Sequence, residues 1–231
     1  MATVLITGAN RGLGLEFCRQ YAAAGWNILA CCRKPAGAAD MQALASHFDN
    51  IEIIALNVAD FARVDDLSRQ LAEWRIDVLL NNAGVYGDRR EHAFGNLDYS
   101  AWTETLRVNL QAPIKMTEAF LPQILRSDRK LVVTISSLMG SISDNSSGGS
   151  LLYRSSKAGL NAAMKSLALT LRPQAVGVLI FHPGWVKTDM GGASALIEAH
   201  ESIAGMRNYI EQFTLRQTGS FVKYDGTPLP W

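Results

Sequence analysis

The sequence predicts an α/β protein in which helices cover both faces of a mostly parallel central sheet. Short apolar runs alternate along the chain with longer amphipathic runs, as in successive βαβ units. The short runs are almost continuously apolar, which is typical of strands buried on both faces of a parallel sheet. Six runs are strand candidates: ATVLIT (2–7), WNILACC (26–32), IEIIAL (51–56), IDVLLNN (76–82), KLVVTIS (130–136) and GVLIF (177–181).

Helical patterns fill the intervals between these strands. The first, LGLEFCRQYAAAG, ends at Gly25. No internal repeat or linker divides the chain, and the Ser/Gly-rich stretch 141–150 is short enough to be a flexible loop, so we expect one domain spanning 1–231. The other helices are expected near 61–74, 99–125, 151–172 and 193–214.

Composition narrows the function classes. The 231 residues are 48% hydrophobic and 19% charged, as in ordinary globular proteins, and the net charge of +1 favours neither nucleic acid nor an anionic membrane. No apolar stretch approaches the ~20 residues of a membrane span, and the N-terminus lacks a basic signal region. The three cysteines have neither a disulfide pattern nor metal-ligand spacing, so we expect a cytoplasmic protein without a metal.

The first candidate site is the stretch TGANRGLG, which follows the first strand and opens a helix. Glycines there permit a tight turn and let a pyrophosphate approach free N–H groups at the positive end of the helix dipole. A plain tight turn is the alternative, since the spacing GxxxGxG differs from the commoner GxGxxG. We expect a dinucleotide at Gly8, Asn10, Arg11, Gly12, Leu13 and Gly14.

The end of the second strand indicates which dinucleotide. NAD-binding proteins usually place a carboxylate there for the ribose 2′-OH, but this chain has Cys32 followed by Arg33 and Lys34. Arg11 could approach the same ribose. Cations without a carboxylate suit a 2′-phosphate, so we expect NADP (NADPH), with Arg33 as a contact. The alternative is a solvated pair of charges at a strand end.

Several motifs together resemble the short-chain dehydrogenases/reductases. TGANRGLG, NNAG (81–84), Asn109, ISS (135–137), YRSSK (153–157) and PGWVKTDM (183–190) occur in that family's order over essentially the whole chain. The resemblance is greatest for the carbonyl-reductase branch that includes sniffer and C-factor-like proteins. It implies a three-layer, doubly wound Rossmann fold with a central, mostly parallel, seven-stranded sheet.

The resemblance also implies roles for individual residues. Tyr153 matches the general acid/base, and Lys157 the lysine that lowers its pKa and holds the nicotinamide ribose. Ser137 matches the residue that hydrogen-bonds the substrate carbonyl, and Asn109 the asparagine of a proton path to the lysine. Further cofactor contacts are implied at Asn57, Val58, Asn82, Ala83, Gly84, Pro183, Gly184, Val186 and Thr188.

One position departs from the family pattern. The family usually has Asp-Val after the third strand, whereas this chain has Asn57 and Val58. An amide oxygen can accept the adenine amine's hydrogen bond, but without the charge of a carboxylate. We therefore expect somewhat weaker cofactor binding and no change in the cofactor's identity.

Elementary electrostatics makes Tyr153 plausible as a reagent. Positions four apart share one face of a helix, so Tyr153 and Lys157 can reach the same cleft. Lowering a phenol's pKa from ~10 to ~7 requires about 4 kcal/mol. A unit charge ~4 Å away supplies about that much at an effective dielectric near 20. Taken singly, each of the four residues has a purely structural alternative.

Some other features are open to two interpretations. His182 is more plausible as a structural histidine than as a cofactor contact, and DRREH (88–92) indicates a solvated loop. The helical run 193–213 could cover the substrate or merely pack on the sheet. An apolar substrate pocket, with plain core as the alternative, could include Val85, Tyr86, Phe94, Leu138, Met139, Trp185 and Met190.

Three functions remain in view at this point. The first is an NADPH-dependent carbonyl reductase acting on a small carbonyl or alcohol substrate, with a possible homodimer built by helices near 99–125 and 151–172. The second is an NAD(P)-binding regulatory protein with little or no catalysis. The third, a nucleotide-sugar epimerase or dehydratase, usually has a GxxGxxG loop and a sizeable C-terminal substrate domain, both absent here.

Overall fold

The computed structural model describes all residues, 1–231, and its centre is one seven-stranded sheet. Every neighbouring pair of strands is parallel, and the order across the sheet is β3-β2-β1-β4-β5-β6-β7. The predicted fold class is therefore confirmed. The strands are β1 (Thr3–Thr7), β2 (Asn27–Cys32), β3 (Ile51–Ala55), β4 (Val78–Asn81), β5 (Leu131–Ile135), β6 (Gly177–His182) and β7 (Ser220–Lys223).

Seven α-helices connect the strands and cover both faces of the sheet. Two of them begin at a local aspartate cap: Asp60 accepts the N–H of Arg63, and Asp98 accepts that of Ala101. The helices are α1 (Gly12–Ala23), α2 (Ala39–His47), α3 (Phe61–Gln70), α4 (Tyr99–Leu106), α5 (Ala112–Leu125), α6 (Leu151–Leu171) and α7 (Ala199–Glu211).

The core consists of two apolar layers, one on each face of the sheet. Leu5 of β1 lies in the layer beneath α3, α5 and α6, whereas its neighbours Val4 and Ile6 lie in the layer beneath α1, α2 and α7. This alternation follows from the two-residue period of a strand and explains why the strand sequences are apolar throughout. None of the helices combines the length and hydropathy that a membrane crossing requires.

Two predicted helices differ from the structure. The run near 99–125 is interrupted by a π-helical turn at Arg107–Gln111, which separates α4 from α5. The run near 193–214 becomes helical only at Ala199, because 193–198 bonds instead to the segment after β6: Leu196 donates to Trp185 O, and Lys187 donates to Ile197 O. Neither α2 nor β7 was predicted from the sequence pattern.

Helix α7 packs on the sheet. Ile203, Met206 and Ile210 are fully or almost fully buried in the layer that also holds α1 and α2. Of the two interpretations of this run, packing on the sheet is the one observed directly. The three cysteines, Cys18, Cys31 and Cys32, are likewise buried and unpaired, and burial raises the pKa of each thiol.

Candidate active site

The topology creates a cleft at the carboxyl ends of β1 and β4. The chain runs from β1 outward to β3 and then returns to the other side of β1, so these two strands flank the switch in direction. In doubly wound sheets ligands bind in the crevice at such a point. The glycine loop follows β1, and Asn82, Ala83 and Gly84 follow β4, so both predicted motifs lie at this crevice.

The glycine loop has no room for a side chain at Gly8 or Gly14. Gly8 and Gly12 have φ of 66° and 53°, a backbone region that favours glycine. A methyl group on Gly14 would lie 2.2 Å from Gly8 O, and one on Gly8 would lie 2.9 Å from the Cα of Ala83. Side chains at these positions would therefore push the loop away from the helix and from the β4 turn.

Helix α1 begins without a cap. Its first residue is Gly12, the preceding Arg11 makes no side-chain cap, and the first turn has no acidic residue. The backbone N–H groups of Gly12, Leu13 and Gly14 donate no hydrogen bond. Three free donors at the positive end of a helix dipole, next to a glycine turn, form a binding site that fits a phosphate group.

A threonine that the sequence interpretation missed joins the two strand ends. Thr7 Oγ1 accepts the N–H groups of Asn82 and Ala83 at 3.0 and 3.1 Å. In return, the Asn82 side chain donates to Thr7 O at 2.9 Å and to Gly8 O at 3.2 Å. This network holds the glycine loop and the β4 turn in one fixed relation. Thr7 is the first residue of the glycine motif TGANRGLG, which is the signal that could have identified it.

The cations expected at the adenosine ribose are only partly available. Arg11 forms an ion pair with Asp189 at 2.7 Å, where both side chains are exposed, so it faces the segment after β6. Arg33 at the end of β2 is exposed and has no ion pair or hydrogen bond within the chain. Asn57 Oδ1 already accepts the N–H of Ala59 at 3.2 Å. Arg33 is thus a cation whose side chain is free for an anion, as is the exposed Lys34 beside it.

The segment that follows β6 faces the glycine loop. A methyl group on Gly12 would lie 3.4 Å from Thr188 Cγ2, which places the two segments in near contact. Gly184 has φ of 85°, and Pro183 O accepts the hydroxyl of Ser202 on α7 at 2.6 Å. Val186 is buried and bridges to Ile197. Thr188 is therefore the predicted contact of this segment that lies beside the glycine loop, whereas Pro183, Gly184 and Val186 pack toward α7 and the chain before it.

The four predicted catalytic residues come from three elements and meet beside that crevice. Tyr153 and Lys157 lie on α6, Ser137 follows β5, and Asn109 lies in the π-helical turn. All four are at least 91% buried. The Ser137 side chain lies close enough to the Tyr153 phenol to lower its pKa. A methyl group built on Gly84 would lie 3.4 Å from Asn109 Oδ1 and 3.7 Å from Lys157 Nζ, so these two side chains approach the same glycine.

Asn109 joins three segments of the site. Its Oδ1 accepts the N–H of Val85 at 2.8 Å, and its Nδ2 donates to Val85 O at 2.8 Å and to Ser156 Oγ at 3.0 Å. The π-helical turn widens the helix at this residue, a feature frequently found at functional sites. In this structure Asn109 therefore fixes the loop after β4 against α6.

The pKa of Tyr153 differs from the sequence-based expectation. Burial raises the pKa of Tyr153 to about 12, although the neighbouring Ser137 side chain acts in the opposite direction. The Lys157 ammonium lies 5.7 Å from the phenol ring centroid and donates to Ile135 O at 2.8 Å. In this geometry burial, and not the ammonium, sets the direction of the shift in the phenol's pKa. Burial lowers the pKa of Lys157 itself to about 8.

His182 has the character of a structural residue. Burial, and to a smaller degree Lys223, lower its pKa to about 4, so the imidazole is neutral at physiological pH. Its Nδ1 is buried and has no hydrogen-bond partner. A neutral ring at the end of β6 supplies no charge to the crevice.

A cavity of about 790 Å³ lies beside the catalytic residues. Tyr86, Phe94 and Met139 line it, whereas the other four residues of the predicted pocket, Val85, Leu138, Trp185 and Met190, do not. Neither Ser137 nor Tyr153 lines it either. The ring of Tyr86, which lines the cavity, packs on that of Tyr153 with centroids 5.0 Å apart.

The stretch 88–92 is only partly the solvated loop that the sequence indicated. Arg89, Arg90 and Glu91 are exposed, but the Asp88 carboxylate accepts the backbone N–H groups of Leu152 and Tyr153 at 3.1 and 2.8 Å. Sequence reasoning missed this residue. Asp88 and Tyr153 are 65 positions apart, and neither belongs to a motif that contains the other.

Comparison with known proteins gives consistent matches. A family model for short chain dehydrogenases matches residues 2–197. The fold superposes on the carbonyl reductase Sniffer of D. melanogaster with TM-score 0.92 and 34% identity, covering 100% of both chains. An NADPH-bound carbonyl reductase from chicken fatty liver gives TM-score 0.91 and 32% identity, covering 100% of this chain and 99% of that one. C-signal of Myxococcus xanthus is 40% identical over 156 residues, 68% of this chain and 93% of that protein.

Proposed function

Because this chain belongs to the short-chain dehydrogenase family, we propose that it is an NADPH-dependent carbonyl reductase. It reduces a small aldehyde, ketone or quinone to the alcohol, and the same site runs the reaction in reverse. The observation that supports this most directly is the meeting of Asn109, Ser137, Tyr153 and Lys157 beside the uncapped start of α1.

The residues at the crevice fit a dinucleotide. The free N–H groups of Gly12, Leu13 and Gly14 suit its pyrophosphate, and Arg33 suits the 2′-phosphate of NADP. The solved relative from chicken fatty liver is described as NADPH bound. When bound, the reduced nicotinamide supplies a hydride to the carbonyl carbon.

Tyr153 supplies the proton. A phenol with a pKa of about 12 is protonated at neutral pH and can donate to the carbonyl oxygen as negative charge develops there. The Ser137 hydroxyl donates a hydrogen bond to the same oxygen, an oxyanion-stabilising role. Lys157, with a pKa of about 8, is mostly protonated at pH 7 and stabilises the phenolate that remains. Asn109 holds the loop and α6 in place.

A turnover assay tests this proposal. NADPH oxidation is measured with a panel of aldehydes, ketones and quinones for the wild type and for Tyr153→Phe. We expect turnover by the wild type and a fall of at least about 100-fold for the variant, the range in which acid–base catalysis contributes. NADPH affinity, followed by fluorescence, should be unchanged. Tyr209→Phe, which removes a phenol hydroxyl from α7, is the matched control and should retain turnover.

A regulatory protein is the second candidate, because C-signal is among the relatives. The same assay separates the two functions. If the wild type and Tyr153→Phe bind NADPH equally and neither turns over any substrate of the panel, the reductase proposal is rejected in favour of the regulatory one.

A further inference from the structure

The start of the helix that carries Tyr153 is held by a carboxylate from a distant loop. Asp88 Oδ2 accepts the backbone N–H of Tyr153 at 2.8 Å, and Asp88 Oδ1 accepts that of Leu152 at 3.1 Å. Hydrogen bonds to a carboxylate are among the stronger ones in proteins, and negative charge is favoured at a helix N-terminus. One side chain therefore fixes two successive residues of the first turn.

The residue that would normally cap this helix does not do so. Ser150 precedes α6 with φ of 45° and ψ of 47°, a left-handed conformation uncommon outside glycine, and makes no side-chain cap. Its hydroxyl is 2.6 Å from the Tyr86 hydroxyl instead. Gly148 and Gly149 also have positive φ, so the segment leading into α6 is irregular. Asp88 thus replaces the local cap.

The loop that carries Asp88 is itself anchored. Asn109 holds Val85 through two hydrogen bonds, and a methyl group on Gly87 would lie only 2.1 Å from Thr105 Oγ1 on α4. The Tyr86 ring packs on the Tyr153 ring at 5.0 Å. A contiguous set of contacts therefore extends from the π-helical turn, through 85–88, to the backbone of Tyr153.

We propose that Asp88 is a positioning residue for Tyr153. Its carboxylate fixes the position and orientation of the first turn of α6, and thereby places the phenol beside Ser137. This rests on the proposed role of Tyr153 as proton donor. Asp88 touches no reacting atom and acts through the backbone.

The test compares Asp88→Ala and Asp88→Asn with a matched cap variant, Asp98→Ala, which removes a comparable hydrogen bond from the start of α4. For Asp88→Ala we expect kcat to fall about 10- to 100-fold, since a misplacement of ~1 Å can cost about 100-fold. Substrate KM and NADPH affinity should stay within about twofold of wild type, because neither depends on the phenol proton. Asp88→Asn keeps one acceptor oxygen but loses the second acceptor and the charge, so it should recover only part of the loss and keep a kcat several-fold below that of the wild type.

Asp98→Ala should lower the thermal unfolding temperature, as removal of an N-cap does, and keep its kcat. Wild-type kcat in Asp88→Ala, or an equal fall in both alanine variants, would overturn the proposal. If Asp88→Ala does not fold, Asp88→Asn alone decides the question: a lowered kcat at unchanged KM supports positioning, and an unchanged kcat rejects it.

Hydrogen exchange distinguishes failure of this proposal from failure of the proposed function. The amides of Leu152 and Tyr153 should exchange faster in Asp88→Ala and Asp88→Asn than in wild type, whether or not a substrate is found. Unchanged exchange at these two amides rejects the positioning role. A wild type without turnover rejects the reductase function instead.

Discussion

The two helices that form the site begin in opposite ways. Helix α1 starts at Gly12 with three free N–H groups, no capping side chain and no acidic residue in its first turn. Helix α6 starts at Leu151 with its next two N–H groups bonded to Asp88. Helices α3 and α4, outside the catalytic group, have ordinary caps from the aspartate that precedes each of them.

The difference corresponds to what each helix start has to do. An open start offers its donors and dipole to a bound anion, and a side-chain cap there would compete with that anion. A closed start has its donors satisfied, which fixes the first turn and the side chains on it. We infer that α1 is left open to bind, and that α6 is closed so that Tyr153 stays in place.

The largest expected effect comes from closing the open start of α1. Gly14→Ala places a methyl group 2.2 Å from Gly8 O, so the glycine turn must shift away from the helix. Overpacking of this kind costs about 1–3 kcal/mol. If this free-energy cost is paid on binding, the affinity for NADPH falls about 5- to 150-fold. Isothermal titration calorimetry measures the affinity, and thermal unfolding separates a loss of stability from a loss of binding.

Gly37→Ala is the control for this experiment, since a methyl group there meets no atom within 4 Å. We expect its affinity to equal that of the wild type. Wild-type NADPH binding by Gly14→Ala would mean that the open start of α1 is not where the dinucleotide binds.

A second effect, of similar size, tests which anion binds on the α1 side of the crevice. Arg33→Asp replaces a free guanidinium with a carboxylate. The binding free energy of NADPH should become less favourable by about 1.5–3 kcal/mol, the range for a hydrogen bond to a charged group. NADH should bind as well as before or better. The ratio of kcat/KM for the two cofactors measures the effect.

Arg216→Asp makes the same charge change on an exposed turn before β7 and should leave that ratio unaltered. Equal efficiency with NADH and NADPH in the wild type would remove the case for a 2′-phosphate at Arg33.

The smallest effect concerns pH and tests the role of Lys157, which lies on the helix with the closed start. Burial lowers the pKa of Lys157 to about 8, so its ammonium is present below that pH and is lost above it. Tyr153, with a pKa of about 12, stays protonated over the same range. Reductive kcat should therefore be level from pH ~6 to ~7 and about half-maximal near pH 8.

A pH series at saturating NADPH measures this profile, and NADPH affinity at each pH serves as the control. A level profile up to pH ~10, or a midpoint near the tyrosine's pKa, would contradict the assigned role of Lys157.

The sequence predicted the fold because the strands have apolar residues on both faces and most motifs follow a strand, whereas Asn109 and YRSSK lie on helical segments. It could not predict the start of α7, since residues 193–198 have helical periodicity but form backbone hydrogen bonds with the segment after β6. Nor could it predict β7, because only Phe221 and Val222 of its four residues are apolar and they form no extended apolar run. The π-helical turn at Asn109 could not be predicted either, because apolar periodicity does not distinguish it from a regular helix.

The site was predictable as far as short motifs extend. Tyr153, Lys157, Ser137 and Asn109 each belong to a local pattern, and the fold brings them together. Asp88 belongs to none, and its partner amides lie 64 and 65 residues further along the chain. The direction of the shift in the Tyr153 pKa could be seen only in the structure. It depends on the burial of the phenol and on which group accepts the hydrogen bond of the Lys157 ammonium.

Burial of all three cysteines has a practical consequence for identifying the substrate. Quinones and other Michael acceptors alkylate exposed thiolates, and covalent inactivation of this kind is easily mistaken for poor turnover. Here Cys18, Cys31 and Cys32 are at most 2% exposed, so such electrophiles can be screened without masking agents. Time-dependent loss of activity in that screen would point to a modified lysine or to unfolding.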